Sequence, residues 1–166
     1  MRDVDYMSVA EDTISKIKRG AFLTVKSGNG LNTMTIGWAT LGFIWNKPIM
    51  MVAVRPSRHT FGILEAAKDF TVTVPTGDMH KETVFCGSKS GRDVNKFAAC
   101  NLEIIDGRQV ASPVIKIEGR HYECRIVHKC AMDKTHLDKD YKASFYPDGD
   151  YHTFYFGEIL ACYETE

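Results

Sequence analysis

No segment of this sequence approaches the roughly 20 consecutive apolar residues of a membrane-spanning helix. The opening MRDVDYMSVAEDTISKIKRG also lacks the apolar centre of a signal peptide. Both absences set the expectation of a cytoplasmic protein with no membrane partner. Net charge is absent as well, with 21 basic against 21 acidic residues, so nothing global points to nucleic acid. The five cysteines (Cys86, Cys100, Cys124, Cys130, Cys162) are odd in number and contain no C-x-x-C pair. That set favours free thiols in a reducing compartment over a disulfide frame or a zinc site. The stretch GSKSGR has the composition of a nucleotide-binding loop, but the spacing G-x-x-x-x-G-K-S/T is missing, which excludes a Walker-type NTPase. Repeats, low-complexity tracts and linkers are missing too, and 1–166 reads as a single domain.

What is present is mostly strand. AFLTVKS, the turn GNG and LNTMTIGWATL read as a hairpin. PIMMVAV, Pro48 to Val54, is apolar at every position and reads as a strand buried on both faces or at a subunit interface. FTVTVP, RHYECRIVHK and YHTFYFGEILACYE are further strands, and Gly157 marks a bend or bulge in the last. Helical spacing is confined to a short N-terminal helix ending near Lys18, to SRHTFGILEAAKDF, and to a middle region from His80 to Cys100. Many strands with a few short helices predict a β-barrel carrying inserted helices rather than a doubly wound sheet.

Within this neutral chain two stretches concentrate positive charge. CGSKSGRDVNKF carries Lys89, Arg92 and Lys96 and reads as a turn running into a helix start. RPSRHT delivers Arg55, Ser57, Arg58 and Thr60 onto another predicted helix start. The first turn of a helix already bears free N–H groups and partial positive charge, so cations gathered there call for an anion. Free N–H groups, hydroxyls and Arg or Lys together make a phosphate site. Against this, Pro56 suits any first turn, Ser57, Thr60 and Asp93 suit ordinary caps, and Arg92 and Lys96 suit a solvated surface. In NTMTIGWAT, Asn32, Thr33 and Thr35 alternate with Met34, Ile36 and Trp38. Such a strand suits a flat heteroaromatic ligand, or else is a plain amphipathic strand with Trp38 in the core.

Taken in order, NTMTIGWAT, VRPSRHTF, CGSKSGRDVNKF and HTFYFGEI resemble the motifs of the flavin reductase-like proteins with an FMN-binding split barrel, flavoredoxin among them. The resemblance runs from about Ala21 to Ile159, which stands where the family has valine. It implies a six-stranded antiparallel Greek-key split barrel with a few short helices, a homodimer, and a non-covalent flavin, FMN ahead of FAD. By this match Asn32, Thr33, Met34 and Thr35 lie along the flavin ring, with Trp38 nearby. Arg55, Ser57, Arg58 and Thr60 serve the phosphate and ribityl chain, and Ser88, Lys89, Ser90, Arg92 and Lys96 close the site.

The implied activity is that of an NAD(P)H-dependent flavin or ferric reductase, in which bound flavin passes electrons on to a small acceptor. The alternatives are a flavoredoxin-type electron carrier between protein partners, without nicotinamide, and a non-redox flavin-binding module. The missing G-x-G-x-x-G fingerprint does not discriminate among them, because the family binds nicotinamide without it. The chemistry belongs mainly to the cofactor, which agrees with the lack of a catalytic triad. His152, at the head of HTFYFGEI, is the candidate catalytic residue, as an orienting group or as a proton donor near neutral pH. No metal site is expected, since His121 and His128 with Cys124 and Cys130 do not form a ligand pattern.

Overall fold

The β-branched and alternating runs form strands in the computed structural model, which describes residues 1–165. A short strand β1 (Arg2–Asp3) and helix α1 (Ala10–Ile17) precede a hairpin of β2 (Ala21–Ser27) and β3 (Gly30–Ile36). A second hairpin follows, β4 (Ala39–Ile44) and β5 (Lys47–Val54), and then helix α2 (His59–Glu65) and β6 (Asp69–Pro75). Helices α3 (His80–Ser88) and α4 (Lys96–Ala99) and the short pair β7 (Ile104–Ile105) and β8 (Val114–Ile115) lead to β9 (Gly119–Ala131). Helix α5 (Lys139–Phe145) and β10 (Thr153–Thr165) come last.

The main sheet is antiparallel throughout and runs β3-β2-β6-β9-β10-β5-β4, with β1 added beside β10. Its two edges, β3 and β4, are joined in the chain by Gly37 and Trp38 alone. The sequence run LNTMTIGWATL, expected to be one strand, therefore breaks at Gly37–Trp38 and serves both edges. The backbone turns the corner that the hydrogen-bond ladder leaves open, and the sheet is a split barrel. Six of its strands are the expected ones, and β4 and β1 raise the count to eight. The β4–β5 hairpin turns at Trp45 and Asn46, both with φ of 55°, the combination that a type I′ turn requires.

Strand β5 is hydrogen-bonded on both edges, to β10 and to β4. Ile49, Met50, Val52 and Val54 are buried within the single chain, so the apolarity of Pro48 to Val54 is accounted for without a second subunit. The main core gathers Met50, Val52 and Val54 with Leu23, Phe70, Val72 and Tyr122, and a smaller core of Phe22, Cys86, Leu102 and Ile115 lies under the helical insert. Arg120, 5% exposed, ties α1 to the barrel by donating to Thr13 Oγ1 (2.7 Å), Asp12 (3.2 Å) and Glu164 (2.7 Å).

The β9–β10 register shifts between Phe156 and Gly157. Gly157 is where the barrel folds in on itself: a Cβ there would lie 2.6 Å from both Cys124 Cβ and Phe70 Cζ. Gly157→Ala is expected to lose about 1–3 kcal/mol of stability through overpacking, read as a lower denaturant midpoint at unchanged m-value. An unchanged midpoint would show that the core yields at this point.

Candidate functional site

The end of β3, the end of β5 and the residues before β10 enclose a cleft of about 240 Å³. Met34, Thr35, Trp38, Arg55, Arg58 and His152 line it. A pocket of about 110 Å³ adjoins it and shares Met34 and Arg58. Asn32, Ser57, Thr60, Ser88, Lys89, Ser90, Arg92 and Lys96 line this second pocket. Thr33 is the exception among the residues singled out from sequence. Alternation puts its side chain on the other face of β3 from Asn32 and Met34, fully buried, accepting from Thr24 Oγ1 (3.1 Å) and donating to Leu23 O (3.2 Å).

RPSRHT runs into α2 as expected, whereas in CGSKSGRDVNKF the helix begins only at Lys96, after the first two cations. Helix α3 ends at Ser88, so Lys89 follows a helix C-terminus, and Arg92 sits in the loop after it. Asn95, not Asp93, caps the one-turn α4 by accepting from Ala98 N. Ser57 and Thr60 do not cap α2: Ser57 bonds Asp150, and Thr60 Oγ1 accepts from Asn32 Nδ2 (2.9 Å). The cations converge nonetheless. Arg55, Arg58, Lys89, Arg92 and Lys96 all line the paired pockets, neither lining contains a carboxylate, and none of the five is in an ion pair among the described residues.

Lys96 is 3% exposed, and its ammonium donates to Cys86 O at 2.7 Å. Burial lowers its pKa, and the Arg58 charge adds to the effect. Burial also pushes the Cys86 thiol up to about 12, so this cysteine of the pocket floor is an inert apolar contact. The Arg58 guanidinium has no hydrogen-bond partner in the protein among the described residues.

Arg55 is committed differently. It donates to the backbone carbonyls of Asp150 (3.1 Å) and Phe145 (2.9 Å) and lies 4.8 Å from the centre of the Tyr146 ring. Ser57 binds the Asp150 carboxylate through its N–H (3.1 Å) and its hydroxyl (2.5 Å). These contacts strap the segment between β9 and β10 across the cleft. Sequence reasoning missed Tyr146 and Asp150; the one available signal was the turn chemistry of YPDGDY directly before His152.

His152 is 7% exposed, bonded through Nδ1 to the Tyr146 hydroxyl (2.7 Å), and packed on Trp38 at 4.7 Å. Burial, followed by the Arg55 charge, lowers its pKa to about 4. The imidazole is therefore neutral at pH 7, which runs against the expectation of an imidazolium proton donor near neutrality. Trp38 is not in the core: it is 44% exposed and forms a wall of the cleft.

Residues 17–166 match the model of the flavin reductase like domain. The chain belongs to that family. It is 30% identical over 141 residues to an uncharacterised protein of Pyrococcus abyssi, covering 82% of this chain and 69% of the relative. Among solved structures it is similar to flavoredoxin from Methanosarcina acetivorans, with TM-score 0.70 and 26% identity over 89% of this chain and 68% of that one. The NADH:FAD oxidoreductase SgcE6 of Streptomyces globisporus shares the fold, with TM-score 0.65 and 19% identity over 93% of this chain and 83% of that one.

The residues fit a flavin of this family. Uncompensated cations suit a phosphate, and Met34 and Trp38 offer apolar walls for a flat ring. Gly91 lets the cationic loop close down on β3 and α2, where a Cβ would lie 2.5 Å from Asn32 Oδ1 and 2.7 Å from the His59 ring. Thr35 donates to Thr83 O (2.6 Å), fixing the edge of the cleft to α3.

Two buried histidines set an acid limit. His121, fully buried between Thr73 and Thr165, also has its pKa lowered to about 4 by burial. Above pH 6.5 neither folded nor unfolded chain protonates these rings, and stability is unaffected. Between pH 6.5 and 4 the unfolded chain takes up protons that the folded chain refuses, so stability falls as pH falls. Each ring contributes up to about 3 kcal/mol to that loss. His121→Gln is expected to flatten the melting temperature against pH between 6.5 and 4. An equally steep profile would assign the acid loss to carboxylates.

Proposed function

We propose that this protein is a flavin-dependent oxidoreductase that binds FMN, an NAD(P)H:flavin or ferric reductase. One observation carries the reading: five cations and no carboxylate line two joined pockets of a neutral chain. Arg58, Lys89, Arg92 and Lys96 would hold the phosphate end, while Met34, Thr35, Trp38 and His152 would border the ring. Bound flavin would supply reversible hydride acceptance and one-electron release, chemistry that no side chain offers. The protein's part is to bind the anion, exclude water with Trp38 and the strap, and present oriented donors to the ring edge. Similarity to a flavoredoxin supports a second reading, an electron carrier that takes electrons from a protein rather than from nicotinamide.

Titration with FMN followed by absorbance, then anaerobic addition of NADH or NADPH, tests both. Stoichiometric uptake with bleaching of the flavin band by a nicotinamide supports the reductase. Uptake without bleaching leaves the carrier, and no uptake of FMN or FAD removes both. Arg58→Ala is expected to weaken FMN binding by about 1.5–3 kcal/mol, the value of a charge-assisted hydrogen bond. Arg55→Ala acts through the strap and is expected to disturb Trp38 and His152 as well.

We also propose a homodimer of about 37 kDa, twice the 18.7 kDa chain. Its support is the exposed apolar group Phe43, Ile44, Trp45 and Val127 around the β4–β5 hairpin. Light scattering at about 19 kDa with flavin bound would overturn it.

A further inference from the structure

The His152 ring has two nitrogens in different situations. Nδ1 lies 2.7 Å from the Tyr146 hydroxyl. Nε2 has no protein partner, yet among the described residues no fully buried side-chain nitrogen or oxygen is left without one. Nε2 is therefore accessible, and the ring lines the cleft. We propose that Tyr146 is a positioning residue: its hydroxyl donates to Nδ1 and fixes His152 as the Nε2–H tautomer, so the cleft meets its ligand with a fixed N–H donor.

The direction of the Tyr146–His152 bond follows from the chemistry of the pair. A phenol is a good donor, and the bare imidazole nitrogen is a better acceptor than a phenol oxygen. The reverse arrangement would leave the Tyr146 hydrogen with no acceptor among the described residues at a side chain only 4% exposed, an unmade buried bond. Burial raises the Tyr146 pKa, so the phenol keeps its proton to donate.

Both rings are held. Tyr146 stacks on Tyr151 at 4.9 Å and 22° and lies under the Arg55 guanidinium. His152 packs on Trp38 on its other side. With Arg58 beside it, the Nε2–H makes this wall of the cleft all donor. It selects ligands that present an acceptor there, such as a carbonyl or an anionic oxygen, and meets a ligand N–H with N–H against N–H. That the acceptor belongs to the flavin ring or to its redox substrate rests on the proposed function; the tautomer does not.

The test is a long-range proton–nitrogen correlation spectrum of the uniformly 15N-labelled full chain at pH 7, with the His152 signals assigned from His152→Gln. The expected result is a bare Nδ1 and a protonated Nε2 in the wild type. Tyr146→Phe keeps the ring, its stacking and the Arg55 contact, and removes only the O–H. It is expected to lower the ratio of Nε2–H to Nδ1–H tautomers roughly 5-fold, the effect of losing one neutral hydrogen bond, with the melting temperature lowered by about 2–4 °C for the same bond. A wild-type proton on Nδ1, or unchanged ring populations in Tyr146→Phe, would overturn the assignment. FMN titration of the same samples reads the flavin proposal separately. Failure to bind would sink that proposal and leave the tautomer result standing.

Discussion

Five like charges held along two joined pockets repel each other, and the fold must resist that repulsion from within a chain of zero net charge. It does so by using rigid attachments rather than counter-charges. Lys96 is fixed by burial and by one backbone carbonyl, and Arg92 by donating to Ser57 O at 3.1 Å. Arg55 is fixed by two backbone carbonyls and an aromatic face. Carbonyl oxygens orient a cation without neutralising it, whereas a carboxylate would do both. The result is a site whose positive potential survives in the folded state and is offered to whatever anion arrives.

The strap between β9 and β10 makes the two halves of the site depend on one another. Arg55 leaves the end of β5 to hold Phe145 and Asp150, and Asp150 in turn holds Ser57 at the approach to α2. Asp150 adopts a φ of 56°, a conformation uncommon for a residue other than glycine but tolerated by aspartate, and three contacts to Arg55 and Ser57 over-determine it. The same segment carries Tyr146, which reaches His152. Cation placement, aromatic wall and imidazole orientation are thus one mechanical unit.

The parts of the fold visible in the sequence were those set by local rules. Period-two alternation marks most of the strands, the unbroken apolar run Pro48 to Val54 marks β5, Gly28-Asn29-Gly30 marks the first turn, and Gly157 stands out by its position inside a strand pattern. Helix α5 is hard to read from sequence, because none of its residues is buried and its one apolar pair at helical spacing, Tyr141 and Phe145, is too short a pattern to define a period. The turn at Trp45 and Asn46 was hidden because tryptophan almost never marks a left-handed position. Within the site, residue types were legible and roles were not. Arg55 and Ser57 look like phosphate ligands in sequence, and only the structure reveals that Asp150 and the strap occupy them. Thr33 shows the same limit on a smaller scale, since a motif names neighbours along a strand while the pleat sends alternate side chains to opposite faces.

The two edge strands of the barrel, β3 and β4, are consecutive in the chain, with two residues between them. Bringing those edges close together costs almost no loop entropy, which grows with the length of chain to be closed. The long-range pairings are elsewhere: β6 meets β9, and β5 meets β10, across stretches such as Thr71 to Glu123 and Val54 to Thr153. The contacts of high sequence separation, which slow the folding of β-rich topologies, are therefore concentrated in the middle of the sheet rather than at its seam.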